Sequence, residues 1–188
     1  MKLAMFSANT DNVNFEVLIH LLRHVGDNKT LGLKYYADLN DAPVTDLLRQ
    51  ANIKTKNLLM AFSDSSWQDF PDTGRITEAC IIFYLGGLID HGTHVPGTVA
   101  QSIAESEYNA ACTTGMALAH FRMLIHELLN EDPEMVLKKA PLIVLDSKSA
   151  MCMAKNGKDT KHTRHIARIM YYVRNGEKCS VFSSQVLP

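Results

Sequence analysis

The sequence predicts an α/β domain with a mixed sheet. Three observations carry this: a β-hairpin signature over Leu58–Tyr84, helical periodicity over Ala104–Leu129, and an isolated apolar run, Leu142–Leu145, with helical segments behind it. Strands then helix, followed by strand then helix, is the alternation expected of α/β architecture.

Each element has its own local signal. Asp11 to Asn14 can cap a helix whose apolar positions, Phe15, Leu18, Leu22 and Val25, recur at three and four before Gly26. Leu31–Tyr36 is expected as a short strand. Asp38–Lys56 is polar, contains Pro43 and a short helical stretch over Thr45–Ala51, and reads as a linker, so the main domain is expected to begin near Asn57. The apolar run Leu58–Phe62 ends near Asp64. A turn with Pro71, Asp72 and Gly74 follows, and the chain returns through Ala79–Tyr84. Gly86 and Gly87 mark a tight turn, and Thr98–Gln101 is expected to supply the third strand. Tyr108, Ala111, Cys112, Ala119, Leu124 and Leu128 describe a long helix stopped by Asn130–Pro133. The wholly apolar Leu142–Leu145 suits a strand covered on both faces. Helices are expected over Ser149–Lys155 and Thr160–Val173, and a last strand within Cys179–Pro188.

Composition sets the boundaries of function. The chain has 188 residues, 46% hydrophobic and 21% charged, which suffices for a buried core in one domain with an appendage. A formal net charge of −1 excludes a general polyanion-attracting field, so such a partner needs a local patch. Cys80, Cys112, Cys152 and Cys179 form no CxxC pair and read as reduced thiols. No apolar run reaches the length of a membrane span. With no apolar leader, these features give the expectation of an intracellular protein, cytoplasmic or nuclear, not secreted and with no membrane partner.

Three acids stand where core elements end or begin: Asp64 after the first strand, Glu105 or Glu107 at the start of the long helix, and Asp146 after Leu142–Leu145. Mg²⁺ prefers hard oxygen ligands and keeps waters and substrate phosphate oxygens beside one or two carboxylates. Paired ions in such a setting can serve phosphodiester hydrolysis. Each acid also has a structural reading, since Glu105 and Glu107 both favour a helix N-terminus and Asp146 suits an N-cap.

The order DSSW (64–67), YLGG (84–87), AESEYNAA (104–111), LDSKSAMCMAKN (145–156) and KHTRHIARIMYYVRNGE (161–177) resembles the RNase H domain of copia-type LTR retrotransposon polyproteins. The similarity runs from about Met60 to Glu177, and Phe15–Gly32, with its HLLRHVGDNKTLG run, is similar to the end of the preceding reverse-transcriptase region. The resemblance implies an RNase H-like mixed sheet with flanking helices. It also implies cleavage of RNA in RNA/DNA hybrids and a Mg²⁺ (or Mn²⁺) site on Asp64, Glu107 and Asp146. Glu107 is preferred to Glu105 because it directly precedes Tyr108-Asn109-Ala110; the two point about 200° apart on a helix, so one alone can face the site. The chain departs from the family pattern at Glu78, where a Gly is expected, and at Ala167, where an acid is expected. It reaches Pro188 without the family's final helix and fourth acid, which the resemblance reads as a C-terminally truncated domain. Residues 1–56 then read as a reverse-transcriptase remnant and linker, 57–188 as the RNase H-like domain, and the rest of the polyprotein as a further partner.

The segment Lys148–Lys178 holds eight Lys or Arg against Asp159 and Glu177, a local excess of six positive charges. Lys158, Lys161, Arg164 and Arg168 fall at helical spacing, suiting contacts with a duplex backbone as well as a solvated face. His91 with His94, and His162 with His165, lack further ligands at zinc-like spacing and read as solvated, although His162 or His165 could assist proton transfer. Trp67 is placed opposite Asp64 by strand alternation, Asp69 and Asp72 in the turn, and Met116, Met123, Met151 and Met153 in the core. The reading that results is an RNase H-type endonuclease; the alternative is a catalytically impaired nucleic-acid-binding remnant.

Overall fold

The computed structural model describes residues 11–36, 38–53, 58–70, 74–97, 99–129, 140–155 and 183–186; for 67–70, 153–155 and 183–186 this covers the backbone alone. The expected helix over Thr160–Val173, the helix stops at Asn130–Pro133 and Asn156–Gly157, and the side chains of Trp67 and Met153 lie outside the described residues. The chain divides into two compact units, Met1–Lys34 and Tyr35–Pro188.

The first unit holds helix α1 (Asn12–Asp27). The Asp11 carboxylate accepts from the Asn14 amide at 2.7 Å, satisfying one of the donors a helix start leaves open. Asn28 closes the other end, its side-chain amide donating to the His24 carbonyl at 2.8 Å. The strand expected over Leu31–Tyr36 does not form. These residues are irregular, with no ladder partner.

The second unit is built on a five-stranded sheet of β1 (Leu59–Phe70), β2 (Arg75–Tyr84), β3 (Gly87–His94), β4 (Leu142–Leu145) and β5 (Ser183–Val186), in the order β3-β2-β1-β4-β5. β1, β2 and β3 pair antiparallel, while β4 lies parallel to both β1 and β5. The mixed sheet predicted from the alternation of elements is therefore present, flanked by α2 (Pro43–Gln50), α3 (Ile103–Leu129) and α4 (Lys148–Lys155). Asp69 belongs to β1 rather than to the turn.

The third strand differs from expectation. Leu85 and Gly86 both have positive φ (49° and 74°) and form a two-residue hairpin turn in which Tyr84 pairs with Gly87. A turn of that kind matches the twist of its flanking strands and starts the next strand at once. GLIDHGTH accordingly becomes β3, and Val99–Gln101 lead into α3 instead of forming a strand. Gly86 is also a close approach: a Cβ there would overlap the Ala42 side chain.

Side-chain alternation splits the core across the sheet. Leu59 and Ala61 of β1, Ile82 of β2, and Ile143 and Leu145 of β4 pack under Tyr108, Ala111, Cys112, Leu118 and Ile125 of α3. Met60, Leu142 and Val144 face the other way and pack with Leu39, Ala42, Val44, Leu48 and Ile53. β4 is thus covered on both faces, which explains its unbroken apolar run. The second cluster reaches upstream of Asn57. Residues read as a linker before Asn57 supply half the cover of the sheet, because Ala42, Val44 and Leu48 recur on one side of a short amphipathic helix and its entry.

Truncating Leu48, which is 1% exposed, should therefore cost about 2–5 kcal/mol. Urea unfolding of Leu48→Ala followed by circular dichroism checks this; a loss below about 0.5 kcal/mol would mean that α2 is dispensable to the core.

Candidate metal centre

The parallel pairing of β1 and β4 sets the level of two of the three acids. Phe62 pairs with Val144, so Asp64 and Asp146 each lie two residues beyond the same rung of adjacent strands. Neighbouring strands run about 4.8 Å apart, and an offset of two restores the same side of each strand. Glu107 arrives from the second turn of α3. That helix is tied to β1 by the Ser65 hydroxyl, which donates to Ser106 Oγ at 2.9 Å, while the Ser106 hydroxyl donates to the Ile103 carbonyl at 2.7 Å.

The result is a cluster in which Asp64, Glu107 and Asp146 each offer a carboxylate oxygen within 4.8 Å of the others. Asp64 and Asp146 are exposed and Glu107 is buried, so the cluster has a closed back and an open mouth. Burial pushes the Glu107 carboxyl up to about 7; hydrogen bonding to Ser65 works against this, and the charges of Asp146 and Asp64 add to it. Glu107 Oε2 is buried with no hydrogen-bond partner among the described residues. A buried, unpartnered carboxylate oxygen facing two further carboxylates fits a hard divalent cation.

The competing structural roles fall to other residues. The Glu105 carboxylate accepts from the Gln101 amide at 2.9 Å, and the Ser102 hydroxyl accepts from the Glu105 amide at 3.2 Å, a reciprocal cap at the start of α3. The Ser147 hydroxyl accepts from the Ala150 amide at 3.2 Å and caps α4, so Asp146 is not needed there. Both caps are legible as short polar motifs ahead of apolar runs. Lys158, Lys161, Arg164, Arg168, His162 and His165 lie outside the described residues. Cys80, Cys112 and Cys152 are free thiols, and Cys179 lies outside the described residues.

Sequence reading treated Glu78 only as a departure, yet it is a buried carboxyl, 4% exposed. Its signal was present: Ile76, Glu78, Cys80 and Ile82 alternate along β2, which puts Glu78 on the inward side. The Thr113 hydroxyl donates to Glu78 Oε2 at 3.0 Å, and His94 Nδ1 lies 3.5 Å from the same oxygen. His94 is thus engaged with a carboxylate rather than with a histidine pair.

Because Glu107 holds its proton more tightly in the folded chain than the ordinary carboxyl value of 4.5, the folded state binds more protons between roughly pH 4.5 and 7. Metal-free stability should then fall as pH rises through that window and level off above it. A cation must displace that proton, so the rise in Tm given by millimolar Mg²⁺ should be larger at pH 8 than at pH 6. Glu107→Gln should raise Tm at pH 8 in EDTA and abolish the Mg²⁺ effect. Differential scanning fluorimetry reads all three, and a Mg²⁺ response unchanged by the substitution would count against this site.

No protein-family model matches the chain, and no curated protein matches it. Among solved structures, RNase H1 from Halobacterium salinarum superposes over 69% of this chain and 85% of its own, with 14% identity and a TM-score of 0.47. LC11-RNase H1, isolated from compost by a metagenomic approach, covers 70% of this chain and 85% of its own at 12% identity and a TM-score of 0.49. The same enzyme in complex with an RNA/DNA hybrid gives 69%, 85%, 15% and 0.44. Among the described residues no helix is long and apolar enough to cross a membrane.

Proposed function

We propose that this chain is an RNase H-type endonuclease domain that hydrolyses the RNA strand of RNA/DNA hybrids at a Mg²⁺ (or Mn²⁺) site formed by Asp64, Glu107 and Asp146. The observation that carries this reading is the meeting of three carboxylates from β1, α3 and the end of β4 within 4.8 Å. Residues 43 and 39 positions apart in sequence converge there, as a functional cluster does and a set of independent helix caps does not.

A bound divalent cation would supply charge neutralisation at phosphate and activation of water. The chain's own residues divide the remaining work. Glu107 anchors the back of the site from a position that water reaches poorly, and the Ser65–Ser106 link holds its helix against β1. Asp64 and Asp146 stand at the open mouth, where a bulky polyanion has access. The exposed acids repel phosphate until they are neutralised, so substrate binding at the mouth should depend on divalent ions. Lys158, Lys161, Arg164 and Arg168 would grip the duplex backbone, contributing a salt-dependent affinity without base readout.

The ordered motifs between Met60 and Glu177 support descent from a copia-type retrotransposon polyprotein. The stretch similar to the end of a reverse transcriptase, Phe15–Gly32, falls inside the separate unit Met1–Lys34. The RNase H-like part would then begin at about Tyr35 rather than Asn57.

Cleavage of a labelled hybrid should require Mg²⁺ or Mn²⁺, and Asp64→Asn and Asp146→Asn should each slow it by more than about a hundredfold. Both variants should retain salt-sensitive hybrid binding. Binding without cleavage in any divalent ion would favour the impaired nucleic-acid-binding remnant, and activity in EDTA would sink the metal assignment.

A further inference from the structure

A second carboxyl-bearing cavity lies away from the acid cluster, between β2, β3 and α3. Its volume is about 140 Å³, and it is lined by Glu78, Cys80, Gly92, His94, Ala110 and Thr114, among others. An engineered apolar cavity of roughly 150 Å³ accommodates one benzene ring, so this one is large enough for a ring-sized ligand.

Its polar groups are few and incompletely paired. The Thr113 hydroxyl and His94 Nδ1 both approach Oε2 of Glu78. The His94 contact is long, at 3.5 Å, and its side chain is 51% exposed, so solvent weakens what it returns to the buried carboxylate. Burial accordingly raises the Glu78 carboxyl, with Thr113 and His94 offsetting this in part. Thr114, 1% exposed and in the cavity wall, has an Oγ1 with no hydrogen-bond partner among the described residues. Burial, with the negative charge of Asp90, also raises the Cys80 thiol.

A small apolar cavity with a few convergent polar groups is the general form of a ligand site. A buried carboxylate beside an unpartnered hydroxyl oxygen suits a cation that donates N–H groups, and planar N–H pairs match carboxylate geometry best. We propose that this cavity binds a small planar organic cation of the amidinium or guanidinium class, its N–H groups donating to Glu78 and Thr114 and its body resting on Cys80, Gly92 and Ala110.

Titration of the full chain with benzamidinium, followed by ¹H–¹⁵N correlation spectra, tests this. Saturable shifts are expected at Glu78, Gly92, Thr113 and Thr114, with a Kd of about a millimolar or tighter. Benzamide, the neutral isostere, should bind at least tenfold more weakly, and Glu78→Gln should weaken benzamidinium at least tenfold. If Glu78→Gln gives an unfolded spectrum, Ala110→Leu, which fills the cavity and leaves the carboxylate, should abolish the shifts instead. Absence of saturation, equal binding of benzamide, or an effect untouched by either folded variant overturns the proposal. Shifts centred on Asp64 and Asp146 do so too, by placing the cation in the acid cluster. Hybrid cleavage enters none of these readouts, so the proposal stands or falls separately from the nuclease reading.

Discussion

The parallel ladder between β1 and β4 is the constraint on which the site depends. Three paired residues, Met60 with Leu142, Ala61 with Ile143 and Phe62 with Val144, set the level of Asp64 within β1 and of Asp146 just past the end of β4. A slip of one residue would turn one acid to the opposite side and exchange the two halves of the core. Register is therefore protected by the packing on both faces: Leu142 and Val144 cannot leave the cluster under α2 without exposing Ile143 and Leu145 from the cluster under α3. The hydrophobic effect, which has no interest in carboxylates, is what aligns them.

That alignment works against electrostatics. Two ionised carboxylates with oxygens 4.8 Å apart repel by about 1 kcal/mol in bulk water and about 3.5 kcal/mol at an effective dielectric of 20. The fold relieves this in two ways. Asp64 and Asp146 remain in water, where the lower figure applies, and Glu107, which cannot, retains its proton up to about 7. The metal-free cluster thus sits at a compromise that a divalent cation would reverse, since the cation turns three mutually repelling groups into ligands.

Much of this was legible in the residues. Period-two alternation in Arg75–Tyr84, helical periodicity over Ala104–Leu129 and the four apolar residues of β4 specify their elements because each signal is local. The acids were legible as candidates because Glu107 and Asp146 stand near element ends and Asp64 follows the apolar run of β1, although that strand continues past it to Phe70. Their convergence was not, since nothing in β1 alone states that β4 will pair beside it and in parallel. The misplaced third strand came from underweighting Leu85-Gly86 as a complete two-residue turn. The packing role of Leu39–Ile53 is hidden for a different reason: the stretch is polar on average, and what makes it core is the placement of Leu39, Ala42, Val44, Leu48 and Ile53 on one side. Composition averages over that geometry.

Two buried carboxyls on the α3 side of the sheet show how environment separates roles that residue type alone leaves equal. Glu107 and Glu78 are each 4% exposed, and burial raises both. Around Glu107 stand two acids as well as Ser65, and Oε2 has no donor among the described residues. Around Glu78 the neighbours are a hydroxyl and an imidazole, which supply donors to one oxygen. The difference predicts opposite chemistry for the same side chain. On the readings proposed above, the first would suit a bare ion that satisfies several carboxylates at once, and the second a single organic donor that one carboxylate can hold. Ser65 stands between them in the structure, pairing across the ladder with Glu78 and hydrogen-bonded to Ser106 beside Glu107. One strand of backbone therefore links the two proposed sites.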